Sequence, residues 1–145
     1  MSIGKFCEHN VVIAPKDMAV HEAAKLMKRY NIGDIVVVDN EDRDAGPVGI
    51  LTDRDIAMKI VANELDANKI SIGDAMSQNL LTLNDQQGIQ EAIDMMSAKG
   101  VRRAPVIDNH HKIVGIVSID DLLILIADEM SSLAKLVRKQ VDKSQ

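Results

Sequence analysis

The stretch GILTDRDIA, from Gly49 to Ala57, and the stretch GIVSIDDLL, from Gly115 to Leu123, are two versions of one pattern. Each contains a glycine, two branched apolar residues, a hydroxyl residue, two variable residues and an aspartate. Branched apolar residues followed by a hydroxyl and an acid are typical of a strand that ends where a helix begins. The pattern therefore predicts a strand-to-helix junction that the chain contains twice.

The duplication extends well beyond this junction. Apolar residues of the first copy recur 69 positions later: Val20, Ala23, Ala24 and Met27 correspond to Ile89, Ala92, Ile93 and Met96. The offset falls to 66 at Gly49 and Gly115, so the first copy has three extra residues. They lie in the polar stretch 40–47, where a loop tolerates insertion. Because about 60 residues bury little surface alone, the two copies are predicted to pack against each other.

Each copy is predicted to fold as β-α-β-β-α, which gives an α/β fold of two repeats related by pseudo-two-fold symmetry. The first helix has apolar residues at the helical period and should end near Asn31 or Gly100, residue types that tolerate a left-handed backbone. Pro105 is placed at a strand start, where a missing donor is tolerated. The second helix begins at Thr52 or Ser118. The predicted strands are 11–13, 35–39 and 48–51, then 80–82, 104–108 and 113–117, with residues 63–72 as a polar link.

The last helix is predicted to be longer than its counterpart in the first copy. An apolar stripe continues past the repeat through Leu122, Ile126, Met130, Leu133, Val137 and Val141. Such a stripe either covers the core of the module or serves as a dimerisation or partner-binding surface, and both interpretations stay open. The predicted divisions are 1–68 for the first repeat, 69–130 for the second and 131–145 for the helix extension.

The hydroxyl and acid of the repeated pattern have two interpretations. Thr52 with Asp55, and Ser118 with Asp121, have the spacing of a capping box, in which each side chain satisfies a free backbone N–H group. The alternative is a ligand site, because a helix start suits an anion and a carboxylate accepts hydrogen bonds from hydroxyl groups. Arg102 with the adjacent Arg103 adds positive charge suited to phosphate.

Composition argues against several classes of function. The 145 residues carry a formal charge of −5, and only Phe6 and Tyr30 are aromatic, so no nucleic-acid partner is expected. Cys7 is the only cysteine and is expected to be a packing residue, and the four histidines suggest no metal site. No membrane span, secretory signal or catalytic constellation is expected, so the predicted protein is cytoplasmic and not an enzyme.

Taken together, the tandem βαββα units, the Gly-apolar-apolar-Thr/Ser-x-x-Asp endings and the segment RRAPVID at 102–108 resemble a pair of CBS domains. These repeats are named after cystathionine β-synthase, and a pair is called a Bateman module. The resemblance covers about Cys7 to Met130. It implies a module that commonly forms a homodimer and binds AMP, ADP, ATP, S-adenosylmethionine or NAD in clefts between the repeats. No obligatory cofactor is implied.

In that family each cleft combines the motif of one repeat with strand residues of the other. The implied ligand-binding residues are, in cleft A, Thr52, Asp55, Arg102, Arg103, Ala104 and Pro105, and in cleft B, Ser118, Asp121, Gly33, Asp34 and Ile35. By charge, cleft A should favour a phosphorylated nucleotide. Cleft B, with the Asp34 carboxylate, should be empty, prefer an uncharged adenosyl group or need a counterion.

The predicted function is a stand-alone regulatory module that senses an adenine nucleotide, as in energy sensing, and signals through a shape change or an effector protein. The alternative is a structural or protein-interaction module with vestigial pockets, which would act through dimerisation and its C-terminal helix.

Overall fold

The computed structural model describes residues 1–40 and 43–144. These residues form two three-stranded sheets with flanking helices, so the predicted α/β fold of two βαββα repeats is confirmed. Repeat one contains β1 (Ile13–Pro15), α2 (Val20–Tyr30), β2 (Asp34–Val38), β3 (Pro47–Thr52) and α3 (Asp53–Asp55), which continues as a π-helix over Ile56–Val61. Repeat two contains β4 (Leu83–Asn84), α5 (Ile89–Lys99), β5 (Arg103–Ile107), β6 (Ile113–Ser118) and α6 (Ile119–Ser144). A short helix precedes each repeat, α1 (Ile3–Phe6) and α4 (Ile72–Ala75).

The second strand of each repeat is the centre of its sheet. Strand β2 pairs in parallel with β1 and antiparallel with β3, and β5 has the same relation to β4 and β6. Four of the five residues in each central strand are buried, which explains why these segments are almost continuously apolar. A further core cluster, Val36 and Ile50 with Ile116, joins the two sheets. The repeats are therefore packed together as predicted.

The first strands begin later than predicted, and Pro105 is not at a strand start. Strands β1 and β4 begin at Ile13 and Leu83, and Pro105 is the third residue of the central strand β5. In repeat one, the N–H of the equivalent Val36 donates to the carbonyl of Val12 at 3.0 Å. Proline has no N–H group to donate, which explains why β4 pairs over two residues only.

The ends of α2 and α5 lie where the sequence predicts them. Asn31 and Gly100 both adopt the left-handed conformation, with φ of 52° and 70°. Their N–H groups close the last helical turns on the carbonyls of Met27 and Met96. Asparagine and glycine tolerate this conformation best, so the exchange of one for the other between the repeats preserves the helix ending.

The short helices α1 and α4 are exchanged between the repeats, and the sequence analysis did not predict them. The N–H groups of Ile3 and Gly4 in α1 donate to repeat two, at Gln87 and Asp85, over 2.8 and 2.9 Å. In α4, the N–H groups of Ile72 and Gly73 make the equivalent bonds to the carbonyls of Met18 and Lys16 in repeat one. Ile3 is fully buried in the core of repeat two, and Ile72 in that of repeat one. Each core therefore needs a segment that precedes the other repeat.

A signal for this exchange was present in the sequence. The tripeptide Ser-Ile-Gly occurs at 2–4 and again at 71–73, which is the same offset of 69. The division of the chain at residues 68 and 130 stays a prediction. Residues 41 and 42, within the loop assigned to the three-residue insertion, and residue 145, at the end of the helix extension, lie outside the described residues.

The glycines of the repeated pattern, Gly49 in β3 and Gly115 in β6, lie beside the segments that follow the short helices. The segment after α4 contacts β3, and the segment after α1 contacts β6. The backbones of Glu8 and Ile116 exchange hydrogen bonds of 2.9 and 3.0 Å beside Gly115. The N–H of Ser77 bonds the carbonyl of Ile50 beside Gly49 in the same way, at 3.0 Å. A Cβ atom at Gly115 would overlap the carbonyl oxygen of Glu8 and would lie 2.7 Å from the Cys7 sulfur. Glycine is therefore required by the exchanged segment.

Replacing Gly115 with alanine is expected to lower the free energy of unfolding by about 1–3 kcal/mol, because the added methyl group meets backbone that cannot move freely. Gly88 is the matched control, since a Cβ atom there meets nothing within 4 Å. Gly88→Ala should cost less than about 1 kcal/mol, as expected for a glycine helix cap. Urea unfolding of both variants measures the difference, and equal losses would contradict this account.

Helix α6 continues far beyond the sheet it follows. Leu122 is its only buried residue among those described, and every residue from Ile126 to Lys143 is exposed. Ile126 borders an apolar cavity with Met96 and Leu122, so the interpretation that the stripe covers the module's own core is wrong only beyond Ile126. None of the described helices has the length and apolar character needed to cross a membrane.

Candidate functional site

Two cavities lie where the repeats meet, and equivalent residues line them. Cleft A, of about 210 Å³, is lined by Ile50, Thr52, Arg54, Asp55, Ser77, Asn79, Leu80, Leu81, Val101, Arg102 and Arg103. Cleft B, of about 250 Å³, is lined by the counterparts Ile116, Ser118, Asp120, Asp121, Glu8, Asn10, Val11, Val12, Ile32, Gly33 and Asp34, with Arg103 in addition. Each cleft contains the strand-to-helix junction of one repeat. Its other residues precede the first strand and the central strand of the other repeat, so the two repeats contribute to each cleft in the way that the sequence analysis expected.

The hydroxyl and aspartate of each junction form a helix cap at the edge of the cleft. The Thr52 hydroxyl accepts the Asp55 N–H at 3.1 Å, and the Asp55 carboxylate accepts the Thr52 N–H at 2.9 Å. Ser118 and Asp121 repeat this arrangement at 3.1 and 3.4 Å. The capping-box interpretation is therefore confirmed. The same oxygens line the clefts and have further lone pairs, so capping does not remove them from ligand binding.

Four pairs of equivalent lining residues differ in charge, always in the same sense. Cleft A has Arg54, Ser77, Arg102 and Arg103 where cleft B has Asp120, Glu8, Gly33 and Asp34. Cleft A is thus the basic site and cleft B the acidic one. Because the walls are otherwise alike, their ligands should differ in charge more than in shape.

The equivalent residues Asp34 and Arg103 form an ion pair between the two clefts. The Asp34 carboxylate lies 3.0 Å from the Arg103 Nε atom, with side-chain exposures of 25% and 34%. Burial raises the pKa of Asp34 above its ordinary value, and the Arg103 guanidinium opposes this rise. Arg103 lines both clefts, so its assignment to cleft A alone needs correction. Any anion in cleft A competes with Asp34 for this guanidinium.

The second arginine of the segment makes a weaker contact. The Arg102 Nη2 atom lies 3.5 Å from the Asp120 Oδ1 atom, and both side chains are at least 70% exposed. An ion pair this exposed stabilises a fold very little. The Arg102 side chain can therefore turn toward a ligand in cleft A at small cost.

Three predicted site residues do not line either cleft. Ile35, Ala104 and Pro105 are buried within the central strands. Any contact of these residues with a ligand stays a prediction. Gly33 does line cleft B, where its carbonyl accepts the N–H of Asp53 at 2.9 Å.

The sequence analysis missed the polar residues that follow the exchanged helices. Asn10 in cleft B and Asn79 in cleft A are the same residue type, 69 positions apart. Glu8 in cleft B and Ser77 in cleft A are also 69 positions apart. Extending the repeat register upstream of residue 11 would have found them.

Cys7 packs in the core of repeat two and is 4% exposed, and burial raises the pKa of its thiol. This position confirms the interpretation of Cys7 as a packing residue. Within residues 1–40 and 43–144, no group of three or more histidine, cysteine, aspartate or glutamate side chains is placed to hold a metal ion.

Two βαββα repeats with paired clefts at their junction define a class of protein, and comparison with known proteins identifies it. The family model for the CBS domain matches residues 3–62 and 72–128. The chain belongs to the CBS domain family and contains two such domains.

Relatives of known sequence or structure agree with this assignment. An uncharacterized protein of Methanopyrus kandleri, MK0525, is 34% identical over 85% of this chain, which spans 61% of the length of that protein. The crystal structure of Hypoxic Response Protein I with two coordinated zinc ions is 30% identical in sequence. Its TM-score is 0.72, over 85% of this chain and 97% of that one. Among the relatives in sequence, the protein called Hypoxic response protein 1 is from Mycobacterium tuberculosis.

A third relative was crystallised with bound ligands. The CBS domain pair of protein MJ0100, in complex with 5′-methylthioadenosine and S-adenosyl-L-methionine, is 27% identical. Its TM-score is 0.75, over 89% of this chain and 98% of that chain.

Proposed function

We propose that this protein is a regulatory module that binds adenosine-containing ligands in clefts A and B and signals through a change of shape or partner. The observation that carries the proposal is the pair of clefts with matching walls and opposite charge. The adenosyl ligands of MJ0100, a relative with the same fold, support an adenosyl ligand here. A regulatory role needs no catalytic group, and we propose none.

In cleft A, the Thr52 hydroxyl and the Asp55 carboxylate bind the ribose hydroxyls. The apolar side chains of Ile50, Leu80 and Val101 contact the adenine. Arg54 and Arg102 face the phosphates, to which arginine donates in pairs. The proposed ligand of cleft A is therefore a phosphorylated nucleotide such as AMP, ADP or ATP, and a difference in affinity among these would make the module an energy sensor.

In cleft B, Ser118 and Asp121 take the place of the ribose-binding pair. Glu8, Asp34 and Asp120 would repel a phosphate and would attract a positive group. The proposed ligand is a neutral or cationic adenosyl molecule, for which the sulfonium of S-adenosylmethionine is the clearest example.

A signal requires that a ligand bind two arrangements of the protein with different affinity. The Asp34–Arg103 pair offers such a difference, because an anion that draws Arg103 into cleft A leaves the Asp34 carboxylate unpaired beside cleft B. Occupancy of one cleft then changes the affinity of the other, and this coupling is reciprocal. We propose a homodimer that transmits the change to an effector protein.

The second candidate is an interaction module with vestigial pockets, which acts through dimerisation and its C-terminal helix. The exposed apolar side chains of α6 favour it. The two functions differ in whether any adenosyl ligand binds, so ligand binding decides between them.

The deciding experiment is thermal unfolding of the protein and of Asp55→Asn with AMP, ADP, ATP, S-adenosylmethionine, NAD and GMP. A ligand at 100 times its Kd should stabilise the protein by about 2.7 kcal/mol, a shift of several degrees. Asp55→Asn should weaken AMP binding at least about tenfold, which removes roughly 1.4 kcal/mol of that stabilisation.

Asp53→Asn is the matched control for this variant. Asp53 belongs to the same helix and carries the same charge, but it does not line cleft A. Its AMP shift should equal that of the parent protein. No shift with any adenosyl ligand at millimolar concentration would favour the interaction module.

A further inference from the structure

An apolar cavity of about 380 Å³ lies in repeat two, between α5 and the first turns of α6. Helix α5 lines it with Ile93 and Met96, and α6 lines it with Leu122, Leu123 and Ile126. None of these five residues lines cleft A or cleft B, so the cavity is a separate site on the molecule. Cavities of this size with mostly apolar walls are typical of small-molecule sites.

Repeat one packs differently at the equivalent place. Ile60 corresponds to Ile126, at the offset of 66 that the two junctions have. Ile60 is 3% exposed and belongs to the core cluster of repeat one, whereas Ile126 is 38% exposed and lies outside the core cluster of repeat two. Ile60 is in the π-helix, which closes its hydrogen bonds one residue later than the α-helix around Ile126, so the two side chains leave their helices in different directions. The cavity therefore belongs to the packing that distinguishes repeat two from repeat one.

Three apolar residues that line the cavity also face solvent. Ile119, Leu123 and Ile126 are 37%, 59% and 38% exposed. A contiguous apolar patch on a protein surface marks a site for a ligand or a partner. A ligand that enters the cavity would shield these side chains from water, and such burial favours binding. The walls therefore select an apolar group.

The charge beside these walls selects the other end of the ligand. Among the described residues that line the cavity, Arg102 is the only charged one. Its ion pair with Asp120 is weak because both side chains are exposed, so the guanidinium can turn toward a ligand. Gly33 has the equivalent position in repeat one and carries no charge. An arginine binds a carboxylate through two parallel hydrogen bonds, which matches an anionic head group.

We propose that this cavity binds a free amphipathic carboxylate, with its alkyl chain between α5 and α6 and its carboxylate on Arg102. The site lies outside both clefts and needs no nucleotide. Its failure would therefore leave adenosyl binding in the clefts untouched, and clefts that bind nothing would not affect it.

Calorimetry with hexanoate, octanoate and decanoate, in the absence of any nucleotide, tests the cavity in the whole chain. The affinity should rise several-fold for each two carbons added, because every methylene buried in the cavity favours binding. Octanoate should also bind more tightly than octanol, which has the same chain and no charge. A parent protein that binds neither octanoate nor decanoate at millimolar concentration would overturn the proposal.

Leu123→Glu tests whether the chain occupies the cavity. This change should weaken octanoate binding at least about tenfold, because a carboxylate replaces part of the apolar wall and repels the head group. Ile124→Glu is the matched control: Ile124 is 62% exposed, next to Leu123 at 59%, but it does not line the cavity. Its octanoate affinity should equal that of the parent. Equal affinities in all three proteins would show adsorption to exposed apolar surface and would refute the site.

Arg102→Gln tests the head group. Octanoate binding should weaken about tenfold or more, since a hydrogen bond to a charged group is lost, whereas octanol binding should stay unchanged. Loss of octanol affinity by the same factor would show that Arg102 shapes the cavity and does not hold the carboxylate.

Discussion

Ile3→Ala is expected to lower the free energy of unfolding by about 2–5 kcal/mol and to loosen repeat two, which begins some 70 residues later in the chain. Ile3 is fully buried against the core of repeat two, where its removal leaves a cavity. Ile72→Ala is the reciprocal change, because Ile72 is fully buried in the core of repeat one.

Urea unfolding measures both losses, and amide hydrogen exchange locates them. Ile3→Ala should reduce protection mainly in β5 and β6, and Ile72→Ala mainly in β2 and β3. Lys5→Ala, on the exposed side of α1, is the control and should change stability by less than about 0.5 kcal/mol. If both isoleucine variants lost amide protection in the same strands, the short helices would not belong to opposite repeats.

Arg103→Ala is expected to weaken AMP binding about 10- to 100-fold while leaving adenosine binding nearly unchanged. A hydrogen bond to a charged group contributes about 1.5–3 kcal/mol to binding. Adenosine has no phosphate, so it makes no such bond with Arg103 and loses nothing when this arginine is removed. Calorimetry with both ligands measures the ratio of their affinities, which cancels any general loss of stability. This expectation rests on the proposed phosphate site in cleft A.

Asp34→Asn should have the opposite effect on AMP, because it releases the Arg103 guanidinium from its ion pair. Arg29→Ala removes an exposed arginine of α2 that lines neither cleft, and it should leave both affinities unchanged. Equal losses of AMP and adenosine affinity in Arg103→Ala would show that this arginine supports the fold rather than the phosphate.

The clefts illustrate which parts of a site can be predicted from sequence. The junction residues Thr52 and Asp55, and the arginines beside β5, could be found because each is local to a pattern that occurs twice. Asn10 and Asn79 lie upstream of the predicted strands, where most equivalent residues differ between the copies and the repeat is harder to see. That Arg103 faces both clefts could not be predicted, since its partner Asp34 is distant in sequence and meets it only across the pseudo-two-fold axis.

The sequence by itself determined the repeat, its element order and the ends of its helices. These features follow from hydrophobic period, caps and left-handed residues, all of which act within a few positions. Only the tertiary structure decided which short helix completes which core, that Arg103 lines both clefts, and that the apolar side chains of α6 beyond Leu122 face outward. Those features depend on contacts between residues far apart in the chain, and such contacts exist only once the two repeats have packed.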